Sequence, residues 1–200
     1  MKKSLLTCLF SFLVLSILPS SAWAETQAYL YDHRLPGDRS LTLEIGPTFP
    51  LFFQQFSGPT ASTNLSVGAN LGLDIDIYMT ENFRLGGELR GIAAVSPNNN
   101  VLFMVPLTFK ATYDFNFSPF TVPVGLGAGA CFTNYLSATN IEPILTPSVG
   151  AYWNVNSSWS VGLNLDYLLD FQLYFGNPIP SSESRIGNFL ETDASAIYHF

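Results

Sequence analysis

Between Asn64 and Met79 the chain alternates without a break. Leu65, Val67, Ala69, Leu71, Leu73, Ile75 and Ile77 fall on one side, and Ser66, Gly68, Asn70, Gly72, Asp74, Asp76 and Tyr78 on the other. A period of two marks a strand with two unlike faces. The run outlasts the usual soluble strand of about 5–6 residues and exceeds the roughly 9–11 that a tilted strand needs to cross a bilayer. In lipid no water satisfies an open strand edge, so a spanning sheet must close on itself. This one run therefore predicts a closed membrane barrel.

The rest of the chain repeats the theme. Alternation recurs over 40–49, 83–95, 101–113, 120–132, 144–153, 159–171 and 189–200, which with 64–79 makes eight segments. The segment 101–113 sets Val101, Phe103, Val105, Leu107 and Phe109 against Thr108, Lys110 and Thr112. The segment 159–171 sets Val161, Leu163 and Leu165 against Asn164, Asp166 and Asp170. Connections alternate in length. Residues 80–82, 116–119 and 154–158 are short and turn-like, whereas 50–63, 96–100, 133–143 and 174–187 are generally longer and rich in Pro, Ser, Asn and Gly. Short turns on one side and long loops on the other are the rhythm of outer-membrane barrels. The expected fold is all-β: an eight-stranded antiparallel transmembrane up-and-down β-barrel with both ends on the periplasmic side. Pro106, Pro123 and Pro147 fall inside strands, remove ladder donors and are candidate bulges.

Aromatic residues gather where such a barrel meets the two lipid boundaries. Phe83, Tyr113, Phe115, Phe117, Phe120, Trp153, Trp159, Tyr198 and Phe200 lie at the predicted periplasmic ends; Phe49, Phe52, Phe53, Phe103, Phe132, Tyr135, Phe171 and Phe175 lie at the outer ends. A soluble β-sandwich with a mixed core is the competing architecture, and it has no need of aromatics at both ends.

The N-terminus agrees with export. Lys2 and Lys3 precede an apolar run, Leu5 to Leu18, followed by Pro19 and Ala22-Trp23-Ala24. That order is a secretory signal peptide cleaved after Ala24, and the run is too short to be a spanning helix. The expected organisation is a signal peptide at 1–24, a periplasmic segment at 25–39 and the barrel at 40–200. Removing the signal leaves Cys131 as the one cysteine, so no intramolecular disulfide forms. It also leaves Arg34, Arg39, Arg84, Arg90, Lys110 and Arg185 against all 15 acids. So acidic a chain is a poor nucleic-acid binder. Hydrophobic residues make up 48% and charged residues 12%, low charge for a soluble domain but ordinary for a barrel whose apolar residues face lipid.

The chain ends Ala194-Ser195-Ala196-Ile197-Tyr198-His199-Phe200. A terminal Phe with apolar residues alternating back from it, together with the signal peptide and the eight segments, resembles the small OmpW/OmpX/OmpA-type outer-membrane barrels over nearly all of 40–200. The resemblance implies a bacterial outer-membrane location. It also implies that the last strand, with Tyr198 and Phe200, is the signal read by the barrel-assembly machinery.

The polar face of the predicted barrel carries Glu44, Asp74, Asp76, Arg84, Glu88, Arg90, Lys110, Asp114, Asp166, Asp170, Glu191 and Asp193. The cations come from the third and fourth segments, across an eight-stranded ring from the acids of the seventh and eighth. Because buried charges must be paired, this predicts an interior ion network of Glu44, Arg84, Glu88, Arg90, Lys110, Asp166, Asp170, Glu191 and Asp193. The surplus acids Asp74, Asp76 and Asp114 are expected in water at the periplasmic rim. An eight-stranded ring is just wide enough for side chains to fill it. The network then plugs the lumen, and a gated polar path is the alternative. Inward glycines either make room for large side chains or leave a cavity.

Catalysis by acyl transfer or hydrolysis needs a base beside a nucleophile. His33 precedes the first strand and His199 is penultimate, so neither reaches an outer rim. Cys131 reads as a small packed residue. No cofactor or metal is expected. The reading is a non-enzymatic barrel contributing to envelope integrity or surface interaction through its outer loops. The second reading is an OmpW-like conduit for small, hydrophobic molecules with Phe52, Phe53 and Phe56 as an apolar entrance. Expected partners are outer-membrane lipid and lipopolysaccharide or its equivalent, the barrel-assembly machinery, and an extracellular ligand at the loops.

Overall fold

A computed structural model describes residues 34–56, 58–136, 138–174 and 180–200. The predicted signal peptide and its cleavage point, His33 and Phe175 lie outside the described residues. The strands are β1 (Arg39–Gln55), β2 (Thr60–Ser62), β3 (Gly68–Tyr78), β4 (Phe83–Val95), β5 (Val101–Phe117), β6 (Phe120–Tyr135), β7 (Ala138–Asn154), β8 (Trp159–Gln172) and β9 (Arg185–His199). β1 pairs antiparallel with β3, each later strand pairs with the next, and β9 returns to β1 from Ser40↔His199 to Gln55↔Arg185. The result is a closed eight-stranded antiparallel barrel. β2 is a short addition to the tip of β1, pairing Phe52↔Ser62 through Gln54↔Thr60.

Alternation decides which face each residue takes. On β3, Asn70, Asp74, Asp76 and Tyr78 are buried while Leu71, Leu73, Ile75 and Ile77 are exposed. The outer wall is an apolar belt that includes Leu43, Ile45, Leu89, Leu107, Phe109, Leu126, Leu163 and Leu165, all exposed. Phe115, Phe117, Phe120, Trp153, Trp159, Tyr198 and Phe200 stand on the same wall towards the end that carries the short turns. Trp159 and Tyr198 pack there with ring centroids 4.9 Å apart. Phe103 and Phe132 are exposed towards the opposite end.

Several element bounds differ from expectation. The segment predicted as a loop at 133–143 is largely hairpin, since β6 and β7 stay paired up to Tyr135↔Ala138. Its polar residues read as a connection, but they bond across the strands: Thr133 Oγ1 donates to Glu142 Oε2 at 2.9 Å, and Asn134 Nδ2 to Thr139 Oγ1 at 2.9 Å. β1 likewise runs beyond the predicted end at Phe49 as far as Gln55. The strand expected from Asn64 starts only at Gly68, and Asn64 itself takes a left-handed φ of 53°.

The strand prolines do not make bulges. Pairing lapses on one side of each proline and resumes in the same register: between β4 and β5 beside Pro106, between β6 and β7 beside Pro123, and between β7 and β8 beside Pro147. A missing N–H costs a bond on one seam without changing the residue count between strands. The irregularity in the β1–β9 seam lies between Pro50 and Phe52, where Leu51 is the extra residue. One extra residue reverses the faces beyond it.

Candidate functional site

The barrel interior is stacked in layers. Nearest the turn end, Arg84 Nη1 lies 2.5 Å from Asp76 Oδ2 and its Nε 3.4 Å from Asp114 Oδ2. Both acids come from the strands flanking β4, so Arg84 pairs with its neighbours and not across the barrel. Asp74, Asp76 and Asp114 were expected in water at the rim; they are buried and paired with cations. The strands continue past them, and Tyr78, Tyr152 and His199 cover them at this end.

The central layer is built on Arg90. Its guanidinium meets Glu88 at 2.5 Å, Glu191 at 2.5 Å, Asp193 at 2.8 Å and Asp166 at 3.1 Å, and it also pairs with Glu44. Lys110 Nζ lies beside it, 3.2 Å from Asp74, 3.5 Å from Glu88 and 3.7 Å from Asp166. Acids of β8 and β9 therefore reach cations of β4 and β5 across the lumen. Neutral donors fill gaps: Asn164 Nδ2 donates to Asp166 at 2.6 Å and to Glu44 at 3.1 Å, and Asn70 reaches Glu191 through Thr48. Inward glycines make room for these side chains. A Cβ on Gly72 would stand 3.3 Å from Arg90 Nε, and one on Gly125 3.4 Å from Lys110 Cε. Glu44, Asp166 and Asp193 have carboxylate oxygens close enough together to hold a metal ion, but the Arg90 guanidinium contacts all three.

Next comes an apolar layer of Ile92, Met104, Cys131, Ile144, Leu168 and Phe189, all buried. Apart from Cys131, which reads as packed in the sequence, this layer is not among the predicted site residues, although its signal is present. Ile92 stands two residues after Arg90, Leu168 two after Asp166 and Phe189 two before Glu191, so each shares the inward face of a charge.

Above this layer the long-loop end opens into a chamber of about 680 Å³. Leu102, Met104, Phe189, Leu65 and Tyr135 contribute apolar surface, and Asn140, Glu142, Asp170, Gln172 and Arg185 the polar groups. Asp170 was expected in the interior ion network with Arg90 and Lys110. It instead sits here, beyond the apolar layer, accepting from Gln172 Nε2 at 2.9 Å. Arg185 Nε donates to Gln172 Oε1 at 2.6 Å, and its guanidinium lies 4.0 Å from the centre of the Phe53 ring. The expected trio Phe52, Phe53 and Phe56 is not brought together. The extra residue at Leu51 turns Phe53 into the chamber, whereas Phe52 and Phe56 do not line it and Phe56 is exposed. Glu142 was absent from the predicted site because it fell in the supposed loop.

Tyr198 and Phe200 stand on the outer wall with stacked rings 5.7 Å apart. The neighbouring His199 points inward and lies 3.0 Å from Ser160 Oγ. A serine beside a histidine is the start of a nucleophile–base pair. Here Ser160 Oγ donates to Asn154 Oδ1 at 2.7 Å, which leaves the imidazole as donor to the serine. His199 Nδ1 has no hydrogen-bond partner among the described residues, so no orienting acid completes a triad.

Solved structures share this architecture. Neisserial surface protein A superposes with a TM-score of 0.56 at 11% identity, covering 81% of this chain and 97% of that one. The outer membrane protein OprG from Pseudomonas aeruginosa superposes with a TM-score of 0.54 at 10% identity, covering 84% and 97%. In sequence, an uncharacterized protein of Treponema pallidum (strain Nichols) is 29% identical over 142 residues, 66% of this chain. The chain spans 65% of that relative's length. A family model whose description names no activity matches residues 21–198. The chain belongs to the family which that model describes, and its fold is that of the small outer-membrane β-barrels.

Proposed function

We propose that the chain is exported, loses its signal peptide after Ala24 and resides in an outer membrane. There it acts as a closed, non-enzymatic barrel whose working surface is its long-loop end, contributing to envelope integrity or to surface contacts. The observation that carries this reading is the double stopper in the lumen: five carboxylates gathered on Arg90, and an apolar layer stacked on them. A conduit through the lumen would have to separate buried ion pairs, each of which leaves an uncompensated charge worth about 3–5 kcal/mol. A rigid scaffold with a blocked core presents its loops, and loops carry specificity. On this reading the apolar belt meets lipid, the outer loops meet lipopolysaccharide or its equivalent and an extracellular ligand, and Tyr198 and Phe200 serve assembly.

The test is complementation of a deletion strain by the full chain and by a chain with residues 58–66 and 96–100 replaced by short Gly/Ser turns. The shortened chain should insert and show a heat-shifted gel band, yet fail to restore detergent resistance or surface binding. Full restoration by the shortened chain would overturn the loop-end reading.

A further inference from the structure

The chamber holds a pair of acids that the central network does not use. Glu142 and Asp170 come from neighbouring strands and are 5% and 0% exposed. Their carboxyl groups lie within hydrogen-bond reach of each other. Each has one neutral donor: Thr133 Oγ1 for Glu142 at 2.9 Å, and Gln172 Nε2 for Asp170 at 2.9 Å. Asp170 Oδ1 meets no donor among the described residues. No described Lys or Arg comes within 4.0 Å of either acid. Arg185, the chamber's own cation, is instead engaged by Gln172 and laid over Phe53. Two buried acids facing each other can both be ionised only when a counter-charge arrives; without one they share a proton. At the centre of the barrel Arg90 supplies one in direct contact; here Arg185 acts on both acids only from beyond 4.0 Å.

The space beside these acids is far larger than an ion. At about 680 Å³ it falls in the range of small-molecule sites, roughly 300–1,000 Å³. Its floor is Met104, Leu102 and Phe189, with Tyr135 and Leu65 packed against them. Methionine and aromatic surfaces adapt to apolar ligands, and aromatic faces attract cations.

We propose that this chamber is a binding site for a small organic cation, with its ammonium between Glu142 and Asp170 and its apolar body on Met104, Leu102 and Phe189. β7 and β8 pair last at Ile144↔Asp170, although β7 continues to Ala138 and β8 to Gln172. The wall beside the acid pair is therefore unzipped, and the ammonium end of the site lies next to this notch. The site depends on the chamber alone; the loop-end reading above enters only in giving the ligand a route from outside.

The test uses the purified mature chain folded in detergent micelles. It is titrated calorimetrically with benzylammonium, with neutral benzyl alcohol and with benzoate, against a micelle blank. Benzylammonium should bind saturably, and benzyl alcohol and benzoate roughly tenfold more weakly or worse, a difference of one charge-assisted contact. The isosteric double variant Glu142→Gln/Asp170→Asn should keep its heat-shifted band and lose benzylammonium affinity by roughly tenfold or more. Equal binding of the three probes, absence of saturable benzylammonium binding, or an unchanged affinity in the folded double variant would overturn the proposal. The probe comparison needs no variant, so it decides even if the substitutions disturb folding. None of these outcomes depends on which side of the membrane the loop end faces, so a failed titration leaves the complementation test independent.

Discussion

Replacing Arg90 with methionine removes the cation on which the central layer is organised. The substitution keeps a chain of similar length in a space bounded by Gly72 and leaves Glu44, Glu88, Asp166, Glu191 and Asp193 facing one another. These acids are at most 4% exposed, so water does not screen them. Lys110 still reaches Glu88 and Asp166 at 3.5 and 3.7 Å, but not Glu44, Glu191 or Asp193 within 4.0 Å. Breaking a buried pair by deleting one partner costs about 3–5 kcal/mol, which lowers the folding equilibrium constant by roughly two to almost four orders of magnitude. Reversible urea unfolding in lipid vesicles, followed by tryptophan fluorescence, reads this directly. Adding Glu191→Gln to Arg90→Met should recover about 1 kcal/mol or more, since the second change removes one orphaned charge. A loss below about 1 kcal/mol for Arg90→Met, the level of an ordinary substitution, would refute the view that this arginine holds the lumen together.

Other consequences are as direct. Lys110→Met should cost less than Arg90→Met, about 1–3 kcal/mol in the same assay, because it orphans chiefly Asp74. Gly72→Val should destabilise by about 1–3 kcal/mol, since its side chain would press on Arg90 and Glu44. Leu136, with its φ of 49°, should accept glycine with a gain of up to about 1 kcal/mol. The intact mass of the protein recovered from membranes should correspond to a chain starting at Glu25. Phe200→Ala should reduce the heat-shifted fraction found in the outer membrane while leaving refolding of the purified chain in detergent unchanged.

Period-two alternation was enough to read the fold, because a strand with an apolar outer wall on one face and a polar lumen on the other leaves an unambiguous pattern. Leu71 against Asp74 is visible without coordinates. The same rule failed where one face stops being uniform. Ile92 and Phe189 are apolar yet inward, and alternation alone does not separate an outward Leu from a lumen-facing Ile. Glu142 and Thr133 were hidden for the opposite reason: near the hairpin tip polar residues such as Asn134, Thr139 and Asn140 interrupt the apolar alternation, so strand and loop look alike. The pairing of Arg90 with acids on β8 and β9 followed from ring topology, whereas Arg84's choice of Asp76 and Asp114 depended on strand stagger that no residue announces. The inward turn of Phe53 followed from one extra residue at Leu51, a shift with no signature in composition.

Single-channel recording in planar bilayers bears most directly on the stoppered lumen. The purified barrel should insert and stay electrically silent, without discrete conductance steps across the usual range of voltage. Reproducible steps from the unaltered chain, changed in size by Lys110→Ala or Arg90→Ala, would show that ions pass through the charge cluster and would contradict a closed core.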